Sequence, residues 1–386
     1  MKVLKILYFI IGFLIFWPMI GYSVFLLSLN KLLKIKDRPK VLDTPQVSLI
    51  VSAHNEEKVI QKKLDNLMHL NYPSEKIEIV IANDNSTDKT QEIVENYIRN
   101  DNKFPIRIYN VENRKGKTNA QNETVKTCKC EILVFTDANS MLDSNAIKEL
   151  VSSFYDETVM YVSGDLSYTN SENNSTSDAE NTYWNLDKKI RNIESNLSSI
   201  TAGNGGLYAI RRDLYIDIPL IHSHDSKMPK EAVLRGYKAI TNSDAKAYEK
   251  AGETVKDEYK RKVRMNRVIF ESIFESFLFI NIFKYKFFTL QLFSHRTLRY
   301  LLAVNHILFF LTNLLLCVRR VNIFYYITLI AQISFYSFAI IGNFKNIRIF
   351  KLPYYYSITL LAQLHGMINY FTGKRKPFWD KAESTR

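Results

Sequence analysis

VFTDANSML, residues 134–142, ends a run of apolar and β-favouring residues with an acid, a small residue and an amide. Asp and Asn often follow strands because their side chains bond the backbone of a turn, so a plain turn is one interpretation. Neighbouring carboxylate and amide oxygens can also bind a metal ion and a phosphorylated substrate. The rest of the chain must decide between the two interpretations.

Strand and helix patterns alternate around this stretch, from about residue 45 to 255. The predicted strands are 47–52, 77–82, 106–110 and 132–136, and the predicted helices between them are 56–70, 87–98 and 117–127. This alternation predicts βαβ units and a mostly parallel sheet. Ligands bind such sheets beyond the carboxyl ends of the strands.

Polar residues follow three of these predicted strands. They are AHNEE at 53–57, NDNSTD at 83–88 and DAN at 137–139. Each cluster alone is explained by a turn or a helix cap, as residues 86–88 would be for the second helix. Three clusters at equivalent ends of one sheet favour a common ligand site, to which the turn after residue 136 would belong.

Six motifs in this order resemble the family 2 glycosyltransferases, which have the GT-A fold. They are VSLIVSAHNEE (47–57), ANDNSTD (82–88), NRKGK (113–117), TDAN (136–139), GNGGLYAIRR (203–212), and His224-Asp225 followed by LRGYK (234–238). The resemblance covers about residues 45–270. It implies an α/β domain of GT-A type, Rossmann-like with a mostly parallel sheet. The implied enzyme is an inverting one that moves a sugar from a nucleotide diphosphate, expected to be UDP, to an acceptor hydroxyl.

The resemblance also implies the residues that bind the nucleotide sugar. They are Ala53, Asn55, Glu56, Asp84, Arg114, Gly116, Lys117, Asp137 and Ala138. Asp84 would accept a hydrogen bond from the base or contact the ribose, and Gly116 would let the backbone approach the donor. A solvated basic turn is the alternative for the NRKGK loop.

A divalent cation, Mg²⁺ or Mn²⁺, is expected at Asp137 and Asn139, because the leaving diphosphate gains charge in the transition state. The family has a second Asp where this chain has Asn139. An amide oxygen can bind the cation but carries no charge to hold it. Asn139 would therefore be a neutral ligand, and Asp137 would supply the negative charge.

Asp225 is the expected catalytic base, which takes the proton of the acceptor hydroxyl. Many relatives have an acidic residue before it, whereas this chain has His224, which is a rival base. A helix cap is the structural alternative for Asp225. Gly205 and Gly206 are expected to leave room for the acceptor near Tyr208, unless Tyr208 lies in the core.

Residues 259–267, YKRKVRMNR, stand where processive members carry Gln-x-x-Arg-Trp, but the Gln and the Trp are missing. Arg261 and Arg264 are expected to touch the diphosphate. The alternative is a basic helix that lies on anionic headgroups. The resemblance therefore does not imply processivity.

The chain ends are apolar, and we divide its 386 residues into five segments. They are an N-terminal transmembrane anchor (1–30), the glycosyltransferase domain (45–255), amphipathic interfacial helices (256–297), C-terminal membrane segments (298–372) and a basic tail (373–386). The first apolar run is long enough to span a bilayer. It is too long for a signal peptide, and no cleavage site follows it. The basic residues at 31–40 predict a cytoplasmic catalytic domain.

Two C-terminal spans are expected, at 298–318 and 322–341, and residues 352–372 are a weaker third. The basic residues at 374–376 favour an in-plane or re-entrant third segment over a third span. We expect a multi-pass protein of a bacterial plasma membrane. Its interfacial helices would hold the active site near a lipid-linked acceptor.

The net charge of +13 is explained by basic residues beside membrane segments, which anionic lipid attracts, better than by nucleic-acid binding. The expected partners are therefore a nucleotide-sugar donor, a glycan or lipid-linked acceptor and membrane lipids, without nucleic acid. Three cysteines indicate neither a disulfide framework nor a zinc site.

The leading functional interpretation is synthesis of a surface or capsular polysaccharide. One alternative is a polyprenyl-phosphate monosaccharide synthase, which uses the same chemistry on another acceptor. Another is an inactive scaffold that binds nucleotide sugars, because Asn83, Asn139 and His224 occupy positions that are usually acidic.

Overall fold

The structure is a computed structural model that describes residues 1–34, 41, 43–100, 102–169, 175–250, 255–345 and 347–377, with the side chains of all of these except 175–184. The predicted basic residues at 36–40 and most of the basic tail lie outside these ranges. The chain divides into two compact units. A helical unit comprises Met1–Lys34, Glu172–Ile190 and Thr254–Arg375, and a sheet unit comprises Ile35–Ser171, Arg191–Glu253 and Lys376–Arg386.

The sheet unit contains an eight-stranded mixed sheet. Its strands are β1 (Val47–Ala53), β2 (Ile77–Asn83), β3 (Ile106–Asn110), β4 (Ile132–Asp137), β5 (Met141–Leu142), β6 (Val159–Tyr168), β7 (Leu207–Arg211) and β8 (Lys238–Glu249). They lie in the order β3-β2-β1-β4-β7-β6-β8-β5. The strands β1 to β4 are parallel, as predicted. In contrast, β7 runs antiparallel to both β4 and β6.

The parallel strands are apolar because both faces of the sheet are covered. Leu49 and Val51 of β1 pack into one core, while Ile50 packs into a second core on the other face. All three side chains are fully buried. Near-continuous apolar runs are typical of parallel strands that helices cover on both sides.

Helices connect and cover these strands. They are Ile60–Met68, Thr90–Ile98, Lys117–Val125, Ala146–Val151 and His224–Leu234, with 3₁₀ turns at Ser74–Lys76, Ser152–Tyr155 and Arg212–Leu214. The first two begin three or four residues later than predicted. The residues before each helix form loops, because their polar groups bond each other across the sheet edge instead of starting a helical turn.

The helical unit contains the apolar ends of the chain. Its helical segments are Lys2–Phe16, Trp17–Gly21, Tyr22–Leu33, Val255–Met265, Asn266–Val268, Ile269–Ser276, Phe277–Phe279, Ile282–Tyr285, Phe287–Leu292, Phe293–Thr297, Leu298–Tyr300, Leu302–Val318, Ile323–Phe344 and Arg348–Phe371. A further helix, Ser175–Leu197, contributes to both units. Pro18 lies in the short π-helical segment Trp17–Gly21, which continues the N-terminal helix.

Two helices of the described chain are long and apolar enough to cross a membrane, namely Lys2–Leu33 and Ile323–Phe344. The pair Phe287–Tyr300 and Leu302–Val318 also qualifies if it is counted together, but it bends by 66°. The predicted span at 298–318 therefore belongs to a broken helix. The weaker candidate at 352–372 lies within Arg348–Phe371, and membrane crossing remains a prediction for all of these segments.

The predicted interfacial region, residues 256–297, consists of the helix Val255–Met265 followed by a series of short helical segments. Large apolar side chains are exposed along it, including Phe274 at 62% and Phe283 at 90%. Exposed apolar side chains beside lysines are typical of helices that lie in a membrane interface.

Candidate active site

Three polar loops share one edge of the sheet because the strand ends are level. The register pairs Ala53 of β1 with Asn83 of β2, and Ser52 of β1 with Asp137 of β4. The chain fills the sheet outward from β1 through β2 to β3 and then returns to the other side of β1 as β4, so the strand order reverses at β1, where doubly wound sheets form a ligand crevice. The loops after β1, β2 and β4 therefore lie where a doubly wound sheet binds ligands.

The loops after β1 and β2 are bonded to each other. Asn55 has a positive φ of 53°, which Asn tolerates better than most residues. Its backbone N–H donates to Ser86 Oγ (2.9 Å), and its Oδ1 accepts from the N–H of Thr87 (2.7 Å). The N–H of Glu56 donates to Thr90 Oγ1 at 2.7 Å. Asn55 and Glu56, predicted as donor ligands, thus join two loops.

Asp84 organises the basic-glycine loop. Its Oδ1 accepts from the N–H of Lys115 (3.2 Å), and its Oδ2 accepts from the N–H of Gly116 (3.0 Å). Gly116 has a φ of 101°, a conformation that favours glycine. Asp84 is only 4% exposed. Each carboxylate oxygen can accept a second hydrogen bond, so the predicted contact with the base stays a prediction.

Gly205 lies among three charged residues of the predicted site. A Cβ placed on it would lie 3.3 Å from Lys117 Nζ, 3.9 Å from Asp137 Oδ2 and 4.0 Å from Asp225 Oδ1. Lys117 Nζ forms an ion pair with Asp137 Oδ1 and donates to the carbonyl of Gly205 at 3.3 Å. The side chains of Lys117 and Asp137 are 25% and 28% exposed, so the solvent reaches both. The structure thus brings together residues predicted for donor, cation and base.

Asp225 lies in the first turn of the helix His224–Leu234, whose N-cap residue is Ser223. The alternative that Asp225 is the cap is therefore wrong. Its backbone carbonyl accepts from the N–H of Gly203 at 2.8 Å, which ties the start of this helix to the glycine loop. A carboxylate in the first helical turn is favoured by the helix dipole.

His224 is a buried, neutral hub. Its Nδ1 pairs with the hydroxyl of Tyr208 (3.0 Å), and its Nε2 pairs with the hydroxyl of Tyr215 (3.1 Å) and with Asn122 Oδ1 (3.1 Å). Burial, and then the positive charge of Lys117, lower the pKa of His224 to about 3. With both ring nitrogens engaged and 1% exposure, His224 cannot take a proton from an acceptor. This environment contradicts the alternative in which His224 is the catalytic base.

Tyr208 lies in the core, so the prediction that it lines the acceptor site is wrong. Its ring is 1% exposed and stacks between Phe135 and Tyr161, at centroid distances of 4.9 and 5.6 Å. Its hydroxyl accepts from Gln121 Nε2 at 3.0 Å. Tyr208 therefore supports His224 from within the sheet.

Sequence reasoning missed the polar face of the helix Lys117–Val125. Gln121 donates to Tyr208, Asn122 donates to the carbonyl of Ile218 (3.1 Å), and Thr118 donates to that of His222 (2.6 Å). These bonds tie the helix that begins at Lys117 to the segment before Asp225. The signal was available, because polar residues at i, i+3 and i+4 replace the apolar stripe that a covering helix normally shows.

Three other predicted site residues have buried surroundings. A Cβ on Gly206 would lie 2.9 Å from Leu166 and 3.0 Å from Glu249, so close packing explains this glycine and Gly205 is the more open of the two. Ala53 and Ala138 are only 4% and 1% exposed.

The remaining predicted ligands are basic. Arg114 is half-buried in the loop before Lys117. Arg261 forms a two-pronged ion pair with Glu258 in its own helix of the helical unit, and Arg264 lies on the same helix. Contact of these arginines with a diphosphate stays a prediction.

Asp137, at the end of β4, and Asn139, two residues later, are the predicted ligands of a divalent cation. Among the described residues, no group of three or more His, Cys, Asp or Glu side chains is arranged to hold a metal ion. Mg²⁺ is commonly bound by one or two carboxylates together with substrate phosphates. One carboxylate and one amide oxygen therefore fit a cation that arrives with a diphosphate.

Comparisons with known proteins agree with this geometry. Residues 48–218 match the model of glycosyl transferase family 2. The chain contains a family 2 glycosyltransferase domain. It is 30% identical over 168 residues to a beta-monoglucosyldiacylglycerol synthase of Nostoc sp. (strain PCC 7120), covering 44% of this chain and 36% of the relative. It is 30% identical over 125 residues to a poly-beta-1,6-N-acetyl-D-glucosamine synthase of Staphylococcus epidermidis, covering 32% and 29%.

The matched segment thus spans about a third of the length of these curated relatives. One solved structure extends the likeness in fold. A mannosyltransferase from Pyrobaculum calidifontis, in complex with GDP-Man and Mn²⁺, has a TM-score of 0.72 over 96% of this chain and 99% of its own, at 18% identity. The sheet of the family 2 domain is therefore of the GT-A type that the motifs predicted.

Proposed function

We propose that this protein is an inverting glycosyltransferase that moves a sugar from a nucleoside-diphosphate sugar, expected to be a UDP-sugar, to a hydroxyl of a growing or lipid-linked glycan at the membrane. The observation that carries this proposal is that a Cβ placed on Gly205 would lie within 4.0 Å of charged atoms of Lys117, Asp137 and Asp225. The ammonium of Lys117, for the leaving group, and the carboxylate of Asp225, for the nucleophile, both lie near Gly205, which has no side chain.

The proposed chemistry assigns one role to each charge. The acceptor oxygen forms a bond to the anomeric carbon while the bond from that carbon to the diphosphate breaks, and the acceptor proton passes to Asp225. The ammonium of Lys117 stabilises the charge that grows on the diphosphate. The N-terminus of the helix that Lys117 begins adds partial positive charge at the same place.

A divalent cation would be held by Asp137 and Asn139 together with phosphate oxygens, and it would neutralise charge on the diphosphate. Since Asn139 adds no negative charge, Lys117 shares this task in the proposal. Ala53, Asn55, Glu56, Asp84 and Arg114 would shape the nucleotide end of the site.

The membrane part of the proposal is supported by the two helices long enough to span and by the exposed apolar side chains between Ile269 and Phe293. The relatives named above make a glycolipid and a polysaccharide, according to their names. Synthesis of a surface or capsular polysaccharide is the proposed process, and a glycolipid or polyprenyl-phosphate product is the alternative. A bacterial plasma membrane with the catalytic domain on the cytoplasmic side is the proposed location.

An inactive scaffold is disfavoured because two of the neutral replacements have structural roles. Asn83 bonds Asn110 (2.7 Å) and accepts from Ser86, which shapes the loop after β2. His224 supports the helix of Asp225. Neither replacement removes Lys117, Asp137 or Asp225 from the crevice.

The test is a screen of UDP- and GDP-sugars with the purified full chain in detergent, in Mg²⁺ or Mn²⁺ and a bacterial lipid extract. Release of nucleoside diphosphate and the product mass are measured. We expect transfer from at least one donor, and a loss of about 100-fold or more in Asp225→Asn with nucleotide binding intact. Full activity of Asp225→Asn would refute the assigned base, and no turnover with any donor would favour the scaffold.

A further inference from the structure

Lys63 lies on the helix Ile60–Met68 with no exposed surface, among apolar neighbours such as Leu64 and Leu67. An ammonium group in such a place is unfavourable unless it is hydrogen-bonded or paired. The next lysine, Lys62, is exposed on the same helix. The buried charge therefore requires an explanation that ordinary packing does not supply.

The ammonium of Lys63 bonds both ends of the loop that carries Asp137. Its Nζ donates to Thr136 Oγ1 at 3.0 Å and to the carbonyl of Ser140. Thr136 Oγ1 in turn donates to the carbonyl of Gly206 at 2.8 Å. One buried cation is thus linked directly to the Asp137 loop, and through Thr136 to the glycine loop.

Asn66, one turn further along the same helix, strengthens this attachment. Its Nδ2 donates to the carbonyl of Leu142 (2.9 Å), and its Oδ1 accepts from the N–H of Leu142 (2.8 Å). The helix therefore bonds Thr136 before the segment from Asp137 to Asn139, and Ser140 and Leu142 after it.

Burial and nearby negative charge have opposite effects on the protonation of Lys63. Burial lowers its pKa to about 7, and the charges of Asp137 and Glu249 oppose this change. Glu249 also accepts from the hydroxyl of Ser140. The charge of one acid at the end of β4 and of one acid at the end of β8 thus acts on the ammonium.

We propose that Lys63 is a positioning residue, whose buried ammonium keeps the Asp137–Asn139 loop and the Gly205–Gly206 loop in the arrangement that the donor site needs. The proposal rests on the proposed function, because the ligand of these loops is a nucleotide diphosphate. Lys63 does not touch the donor. It acts through Thr136 and Ser140, which lose a hydrogen-bond donor when the ammonium is removed.

The test compares binding of UDP and GDP, with Mn²⁺, to variants of the full chain in detergent by calorimetry, together with their melting temperatures. Lys63→Met keeps the volume and removes the charge, and Lys62→Met is the exposed control. We expect at least about tenfold weaker nucleotide binding for Lys63→Met, a melting temperature within about 4 °C of the wild type, and no change for Lys62→Met.

A second pair of variants decides the question if Lys63→Met does not fold. Thr136→Val removes the hydroxyl that Lys63 bonds, and Thr136→Ser keeps it. Weaker binding by Thr136→Val with wild-type binding by Thr136→Ser supports the proposal. Wild-type binding by Lys63→Met, or by Thr136→Val, overturns it. If the wild type itself binds neither UDP nor GDP, the proposed function fails first.

Discussion

Asp84 follows β2 and Asp137 ends β4, the two strands on either side of β1, yet their surroundings differ. Asp84 is 4% exposed and accepts from two backbone N–H groups. Asp137 is 28% exposed in its side chain and pairs with the ammonium of Lys117. Hydrogen bonds to backbone are part of the fold, whereas an ion pair at a solvent-reached edge can open for a ligand. One acid therefore shapes the crevice, and the other is available to a substrate or cation.

The largest effect is expected when Asp137 loses its charge. Asp137→Asn should lower transfer by about 100-fold or more, because the residue faces developing charge in the proposed site. Its melting temperature should change little, since an ion pair that solvent reaches contributes at most about 1 kcal/mol. Initial rates and thermal melts of the full chain measure both. Asp213→Asn, on an exposed 3₁₀ turn, is the control. A large fall in melting temperature would show that Asp137 resembles Asp84 after all.

Asp84→Asn should instead destabilise the basic-glycine loop that Asp84 holds through Lys115 and Gly116. An amide NH₂ would face one of the N–H groups of Lys115 and Gly116, so a buried donor loses its acceptor at a cost of about 1–3 kcal/mol. We expect a clear drop in melting temperature together with a raised KM for the donor. Unchanged stability would mean that the two acids do not differ as described, and Asp213→Asn again serves as the reference.

Parts of the fold and of the site could be predicted from the sequence, and other parts could not. The strand at 106–110 was predicted with the bounds that the structure shows. Its apolar and polar residues alternate, and the segments on either side of it are polar. The order of motifs predicted which loops meet. The burial of Tyr208 was not predictable, since it depends on Phe135 of β4 and Tyr161 of β6 lying on either side of β7. Lys63 was overlooked because a lysine on a helix is normally exposed, and its partners are more than 70 residues away.

His224 is buried like Asp84, but it is neutral, and this predicts a pH effect on stability. Its pKa is about 3 in the folded protein and about 6.5 when unfolded, so the unfolded chain binds more protons between these values. Stability is therefore full above about pH 6.5 and falls as the pH falls towards 3. By pH 5 the loss is about 2 kcal/mol.

Thermal melts at pH 6.5 and 5.0 test this expectation. His224→Gln cannot bind the proton, so the drop in melting temperature between the two pH values should be smaller than in the wild type. His69→Gln, at an exposed position, should retain the wild-type drop. An equal drop in all three proteins would assign the acid sensitivity to other groups and would return His224 to the candidates for a base.

The smallest expected effect concerns Asn139, the neutral neighbour of Asp137. Asn139→Asp adds a second carboxylate to the loop that carries Asp137. Divalent cations bind more tightly as carboxylates are added to their site. We expect about tenfold tighter Mn²⁺ binding in the presence of UDP, which corresponds to about 1.4 kcal/mol. Titration of Mn²⁺ against the UDP-dependent rise in melting temperature measures it, with Asn96→Asp as an exposed control. If both variants bind Mn²⁺ as the wild type does, Asn139 does not face the cation. Asp137 would then have to bind the cation without Asn139, and Lys117, its partner in the ion pair, would carry more of the charge neutralisation at the diphosphate.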